Sequence, residues 1–291
     1  MPTFALVSRI HLAELPYVRP FIQYYKDLGV QQCYFVNTKA DEYERVKAHL
    51  PVDCILHQAP KGPINQMQNS VLSLVKEEYI VQCDCDEYFI LGYPTLQDLH
   101  QAHPASYYTS SWAMAPRDSP ACSGAVGGTP AEFKVTPWQQ GKYIVQRSTC
   151  TTLPIHAFRK RKGFKLPHMM HLWGRSINDI LLKCVLQVLP GAKRSSTQQI
   201  RHLLETKQLP NRLKALAYLC NLPRPLTVSL PLVFDQKLEE QILLEYLTQE
   251  EIQQLHSLYL EYKKKLKGHR FNQRKQYSMQ LVTRKLEAID F

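Results

Sequence analysis

Apolar and polar positions divide this chain into an alternating first part and a helical last part. Phe4-Ala5-Leu6-Val7-Ser8 reads as a strand. Beyond Pro16, residues Val18, Phe21, Ile22, Tyr25 and Leu28 fall at helical spacing over Tyr17–Leu28, and Gly29 supplies a stop. Gln32–Val36 reads as a second strand, followed by the polar turn Asn37–Asp41, a helix over Glu42–Leu50 and a third strand over Val52–Leu56. The Gly62-Pro63 loop leads into a helix from Ile64 to about Lys76, and Tyr79–Cys83 is a β-favouring apolar run broken only by Gln82. Strands alternating with helices predict an α/β fold with a mostly parallel central sheet covered on both faces. Ligands in such sheets bind beyond the carboxyl ends of the strands.

The texture changes between Pro104 and Pro154. Proline and glycine are frequent there, Tyr107–Ala113 and Lys142–Gln146 read as strands, and a long loop surrounds Gly124–Pro130. Asn178–Leu189 is a helix, and everything from about Pro190 onward reads as helical. Leu238, Ile242 and Leu243 begin one amphipathic pattern, which Ile252, Leu255, Leu258, Tyr259, Tyr262 and Leu266 continue. The expected organisation is an α/β domain over residues 1–190 and a helical C-terminal region over 191–291.

Composition narrows the class. At 291 residues and 44% hydrophobic the chain can bury a sizeable core. An excess of 36 Lys and Arg over 25 Asp and Glu gives +11, which implies a polyanionic partner: nucleic acid, an anionic membrane face or phosphorylated substrates. The eight cysteines form no C-x-x-C pair, and several lie in apolar runs, which fits reduced thiols and a cytoplasmic setting. The first residues lack the basic and apolar regions of a signal peptide, and no run approaches transmembrane length.

Chemistry concentrates where the Tyr79–Cys83 run ends. Asp84, Asp86 and Glu87 place three carboxylates within four residues. Continued as a strand, the segment turns Asp84 and Asp86 one way and Cys83 and Cys85 the other. Like charges so close repel, and a divalent cation resolves the conflict; Mg²⁺ or Mn²⁺ takes one or two carboxylates plus substrate phosphates. The structural alternative is an acidic turn at the exit of a strand, and for an isolated D-x-D triplet that alternative is the commoner one.

The order of several motifs resembles the glycosyltransferases of the GT-A fold, in particular the family 2-like and family 92-like branch. Glu14 followed by Tyr17–Val30 is similar to that branch's opening, and Phe35-Val36-Asn37 with Asp41 to its Y-D-N-x-S-x-D segment. Asn65–Asn69 stands where the branch carries a Gln- and Asn-containing helix start. Asp84-Cys85-Asp86-Glu87-Tyr88-Phe89 matches D-x-D-E-[FY]-[FIL], the most specific of the set. His171–Ser176 with Asp179 and Lys183 resembles H-Y-x-x-[KR]-S-x-x-[DE]-[FI]-x-x-K. The match departs at Arg9-Ile10-His11, where K-N-E is expected, and at Ala13, where Asn is usual.

The resemblance implies roles. Asp86 would ligate Mn²⁺ or Mg²⁺, Asp84 would touch the ribose or a metal-bound water, and His171 would return to the metal or diphosphate, with His156 and His168 competing for that part. Glu14, Asn37, Gln66 and Lys183 would contact the nucleotide, and Glu87 would orient its neighbours. Inverting transfer needs a general base; Asp179 is the first choice, with Asp118 and Glu132 as rivals and a helix-dipole charge as the structural alternative. Trp112, Trp138 and Trp173 would stack on sugars or fill core.

The expected partners are a UDP-sugar donor and a glycan or lipid-linked acceptor. The basic run Lys263–Lys267, with His269, Arg270, Arg274 and Lys275, either docks on anionic lipid or is a solvated face. Two other classes compete: a metal-dependent nucleotidyltransferase, for which no third acidic ligand or triphosphate loop is evident, and a non-enzymatic nucleic-acid-binding protein. The latter predicts basic residues interleaved with aromatics on one face, whereas here they gather near the C-terminus.

Overall fold

The computed structural model describes residues 1–115, 131–137, 141–154, 156, 163–188, 212–217, 226–230 and 234–266. The chain divides into two compact units. The first contains residues 1–113, 137–171 and 232–234, and the second 114–136, 172–231 and 235–291.

The first unit is an α/β layer structure around a mostly parallel sheet of seven strands. These are β1 (Phe4–Ile10), β2 (Gln32–Asn37), β3 (Ile55–Gln58), β4 (Tyr79–Gln82), β6 (Tyr107–Thr109), β9 (Tyr143–Gln146) and β10 (Phe164–Lys165), in the order β10-β6-β9-β4-β1-β2-β3. β1 lies parallel to both β2 and β4, β2 parallel to β3, and β10 parallel to β6. Only β9 runs against its neighbours β4 and β6. The sheet's buried face gathers Ala5, Val7, Tyr34, Val36, Ile80, Tyr107, Tyr143 and Val145 against Val71 and Val75. Fully buried strands on both sides of β1 are what near-continuous apolar runs produce.

The helix α1 (Leu15–Asp27) starts on Pro16, which is tolerated in a first turn, and buries Tyr17, Val18, Phe21, Ile22 and Tyr25. Gly29, at φ +93°, lets the chain turn back into β2. Along α1, Phe21, Tyr24 and Tyr25 pack in edge and stacked contacts on Tyr88 of β5 (Glu87–Ile90). The Tyr25 hydroxyl donates to the Glu87 carbonyl at 2.8 Å and accepts from Phe89 N at 3.2 Å. An aromatic helix face thus fixes the strand that follows the acidic loop.

Several elements differ from the sequence reading. The third strand begins at Ile55 rather than Val52, and Val52 is fully exposed. The helix from Ile64 ends at Asn69, and residues 70–74 form turns. Tyr107–Ala113 is two strands, β6 and β7 (Trp112–Met114).

In the second unit β12 (Leu226–Leu230) pairs antiparallel with β8 (Ala131–Pro137), so the region past Pro190 is not wholly helical. Leu226, Val228 and Leu230 there alternate with polar residues, a period-2 signal. The helices Ile177–Val188, Gln236–Leu244 and Gln249–Leu266 follow the expected amphipathic stretches. No helix among the described residues is long and apolar enough to cross a membrane. The Gly124–Pro130 loop, Asp118, Trp138, Lys267, His269, Arg270, Arg274 and Lys275 lie outside the described residues.

Candidate active site

Three strand registers assemble the acidic site. Val7 of β1 lies opposite Gln82 of β4, so two residues on Arg9 comes level with Asp84. Tyr143 of β9 also faces Gln82, in the antiparallel sense, which brings the preceding Lys142 beside the start of the acidic loop. β11 (His168–His171) pairs antiparallel with β5, and His171 faces Glu87. Residues far apart in sequence therefore converge on Asp84–Glu87 at the carboxyl end of β4.

The acidic segment is a turn, not a strand continuation. Glu87 N donates to the Asp84 carbonyl at 3.0 Å, and Asp84 N donates to Glu87 Oε2 at 2.6 Å. The side chain of Glu87 thereby closes the loop on itself. Cys83 and Cys85 are buried, with Cys83 Sγ donating to the Tyr25 hydroxyl and Cys85 Sγ to the Arg9 carbonyl, each at 3.3 Å.

The two aspartates have different surroundings. Asp84 Oδ1 accepts from Arg9 Nε at 3.1 Å and Nη2 at 2.7 Å, and its Oδ2 accepts from Lys142 Nζ at 2.7 Å. Burial alone would raise the Asp84 pKa, but Lys142 and then Arg9 outweigh it and hold the carboxyl well below the usual range. Lys142 is fully buried and also lies 3.4 Å from Glu87 Oε2. Burial disfavours its charge, yet Asp84 and Glu87 override that and raise its pKa. Glu87 is itself fully buried, and desolvation, against the pull of Lys142, pushes its pKa up to about 7. Asp86 instead faces an imidazole, its Oδ1 3.6 Å from His171 Nε2.

An aromatic ring packs against the imidazole. Trp112 packs on His171 at 4.6 Å between ring centroids and on His156 at 5.4 Å. His156 is exposed, yet desolvation of the ring, followed by the charge of Lys142, pushes its pKa down to about 4. Its imidazole is neutral at pH 7. His168 lies at the far end of β11, opposite Ile90. Trp173, in the second unit, is partly buried.

The other residues expected at the site fall in varied places. Glu14 is buried in a short 3-10 turn with Oε1 3.6 Å from His11 Nε2. Asn37 ends β2, is fully buried, and accepts from Lys39 N at 2.9 Å through Oδ1, while its Nδ2 makes no hydrogen bond. Gln66 is exposed on its short helix; the buried glutamine there is Gln68, whose amide oxygen and nitrogen both make no hydrogen bond. Gln82 on β4 shares that property. Buried amides without partners are costly and mark places where a ligand or water completes the bonding.

Asp179 and Lys183 belong to the second unit. Asp179 is fully buried; its Oδ1 accepts from Arg175 Nη2 at 2.9 Å, its Oδ2 accepts from Arg175 N at 3.1 Å and Nε at 3.3 Å, and Lys183 Nζ stands 3.4 Å away. A carboxylate held this way is stabilised as an anion and shielded from a hydroxyl, so the geometry gives it an internal ion-pair role rather than that of a general base. Lys183 is its second cation instead of a phosphate contact in this arrangement. Glu132 lies in β8, and its side chain is not among those described.

Arg9, Lys142 and Gln68 were the residues that sequence reading passed over. The signal for Arg9 was a cation at the end of an otherwise apolar strand, and for Lys142 a cation wedged between Gly141 and the apolar run Tyr143-Ile144-Val145.

The residues fit part of a metal site. Among the described residues no group of three or more His, Cys, Asp or Glu side chains is arranged to hold a metal alone. Asp86 and His171, 3.6 Å apart, fit two positions around one cation, since two ligands each about 2.1 Å from a metal lie within about 4.2 Å of each other. Asp84 does not fit as a third, because both its oxygens are engaged by cations.

No protein-family model and no curated protein matches the sequence. Solved structures similar to the chain include TarS 1-349 of S. aureus in complex with UDP, at 10% identity and TM-score 0.33, with 94% of this chain and 95% of that one covered. UDP-glucose pyrophosphorylase from Acinetobacter baumannii is similar at 10% identity and TM-score 0.37, over 72% of this chain and 100% of that one. The bifunctional IspDF from Campylobacter jejuni is similar at 10% identity and TM-score 0.30; the alignment covers 50% of this chain and 41% of that one. Likenesses at these scores assign no substrate or partner to this chain.

Proposed function

We infer that the chain is a glycosyltransferase of the GT-A type that moves a sugar from a nucleoside-diphosphate donor, UDP-linked, to a glycan or lipid-linked hydroxyl with inversion. The observation that carries this reading is the acidic turn at the carboxyl end of β4, with Asp86 facing His171 and Asp84 neutralised by Arg9 and Lys142. Asp86 and His171 would hold Mn²⁺ or Mg²⁺. That cation supplies Lewis-acid neutralisation of the charge building on the leaving diphosphate.

The chain's own side chains set the rest. Glu87 keeps the loop closed through Asp84 N, which fixes the direction of the Asp86 carboxylate. Asn37, with its Nδ2 open, ends a strand beside β1 and is suited to a nucleotide contact; Gln68 replaces Gln66 as the glutamine suited to that part. Trp112 presents a ring edge-on to His156 and offers an apolar wall for a sugar. With Asp179 committed to Arg175, deprotonation of the acceptor falls to Asp118 or Glu132. The Lys263–Lys265 turn would hold the protein against anionic lipid.

The test is a product assay. Incubated with Mn²⁺ and a panel of sugar nucleotides, with water taking the sugar in place of the acceptor, the protein releases nucleoside diphosphate and free sugar, most with a uridine donor. Formation of pyrophosphate from a nucleoside triphosphate and a sugar phosphate, with no diphosphate release, would instead make it a nucleotidyltransferase.

A further inference from the structure

The two aspartates of the D-x-D triplet have different partners: Asp84 lies against the cations Lys142 and Arg9, and Asp86 faces His171. The Lys142 ammonium lies between Asp84 Oδ2, at 2.7 Å, and Glu87 Oε2, at 3.4 Å, and is fully buried. It is a single positive charge set between two carboxylates.

Its delivery is specific. Ser110 N donates to the Lys142 carbonyl at 3.1 Å, and the preceding Gly141 is pressed so closely on the Ser110 carbonyl that no side chain fits there. On the other side Arg9 takes Asp84 Oδ1 through two nitrogens. The guanidinium takes Oδ1 twice and the ammonium takes Oδ2 once, so two positive charges lie against Asp84 and disfavour a divalent cation there.

We propose that Lys142 is a resident cation that closes Asp84 and Glu87 to divalent metal and so directs the single metal carried with the diphosphate to Asp86 and His171. Lys142 is a positioning residue in this account. The inference rests on the metal–diphosphate reading above and adds to it a division of labour within the triplet. It also predicts that metal and nucleotide bind together, because Asp86 and His171 offer too few ligands to hold the ion without diphosphate oxygens.

The charge of Lys142 is therefore the quantity to change, with Mn²⁺ binding as the readout, since electron paramagnetic resonance counts free Mn²⁺ whether or not the protein turns over. Wild type binds Mn²⁺ weakly alone and at least tenfold more tightly with UDP. Lys142→Met opens a carboxylate pair and binds Mn²⁺ alone at least tenfold more tightly than wild type, while Lys142→Arg stays close to wild type. Asp84→Asn leaves the weak binding of Mn²⁺ without UDP within about threefold, because Asp84 is not a ligand, and Asp86→Asn loses Mn²⁺ binding with and without UDP.

A folded Lys142→Met variant with unchanged Mn²⁺ affinity overturns the proposal. If that variant does not fold, the Asp84→Asn result decides: loss of Mn²⁺ binding in the absence of UDP equal to that of Asp86→Asn overturns it as well. Failure of the underlying reading looks different, since wild type itself would then bind no Mn²⁺ with or without UDP.

Discussion

Removing the carboxylate of Asp179 separates an internal structural role from a catalytic one. The side chain is fully buried and receives three hydrogen bonds from Arg175, through Nη2 at 2.9 Å, the backbone N at 3.1 Å and Nε at 3.3 Å. Arg175 is itself fully buried. Asp179→Ala leaves a guanidinium in a low-dielectric surrounding without its carboxylate, a change that costs about 3–5 kcal/mol. At roughly 2 °C per kcal/mol for a chain of this length, the melting temperature falls by about 6–10 °C. Urea titration followed by far-ultraviolet circular dichroism reads the same loss as a lower midpoint at constant slope.

A second variant isolates the cause. Replacing both partners, as Arg175→Met with Asp179→Leu, removes the stranded charge, and apolar replacement of a buried pair is often neutral. The double variant regains most of the stability, and the diphosphate release of the folded protein stays within about threefold of wild type. The reasoning is refuted if Asp179→Ala unfolds within about 1 kcal/mol of wild type while its activity is lost, because Asp179 would then serve chemistry and not the ion pair.

Other substitutions probe separate parts of the account. Gly141→Ala would place a Cβ overlapping the Ser110 carbonyl oxygen and 2.6 Å from its carbon, so β9 has to shift; overpacking of about 1–3 kcal/mol is expected in a thermal melt, together with loss of diphosphate release as Lys142 moves. Glu239 is buried, accepts from Ser176 Oγ at 2.7 Å, and has its pKa pushed up by burial to about 8. Its neutral form is favoured in the fold, so its contribution to stability is full below pH ~4.5 and is lost as pH rises to about 8. Glu239→Gln removes that pH dependence and is more stable than wild type at pH 8.5, by up to about 4 kcal/mol in urea titrations. Changing Lys263, Lys264 and Lys265 to Gln lowers pelleting with anionic vesicles and leaves UDP affinity unchanged; equal pelleting makes this turn an ordinary solvated face.

The fold was legible because β1, α1 and β2 carry unmixed periodic signals, with Val18, Phe21, Ile22 and Tyr25 on one helical stripe and apolar strands on either side. The short strand β12 was not, since its period-2 pattern is brief and lies among long helical patterns. In the site, the local turn from Asp84 to Glu87 was visible as a cluster of acid. Its electrostatic partners were not, because Arg9 and Lys142 stand 75 and 58 residues from Asp84 and are brought in by strand register alone. Asp179 illustrates the reverse case. Its position near a helix start after His171 suggested chemistry, but Arg175, four residues earlier in the bend that precedes the helix, was available to pair with it.

The most direct test of the central claim is a melt of the wild-type protein with UDP, GDP, CDP, ADP and dTDP, each with Mn²⁺ and each with chelator. A ligand that binds only the folded chain stabilises it by about 2.7 kcal/mol at a hundredfold excess over Kd, which raises the melting temperature by about 5 °C here. The account predicts that shift with UDP and Mn²⁺ together, and its disappearance when the metal is chelated. Absence of a metal-dependent shift with every nucleoside diphosphate would contradict the account, the assignment of Asp86 and His171 included.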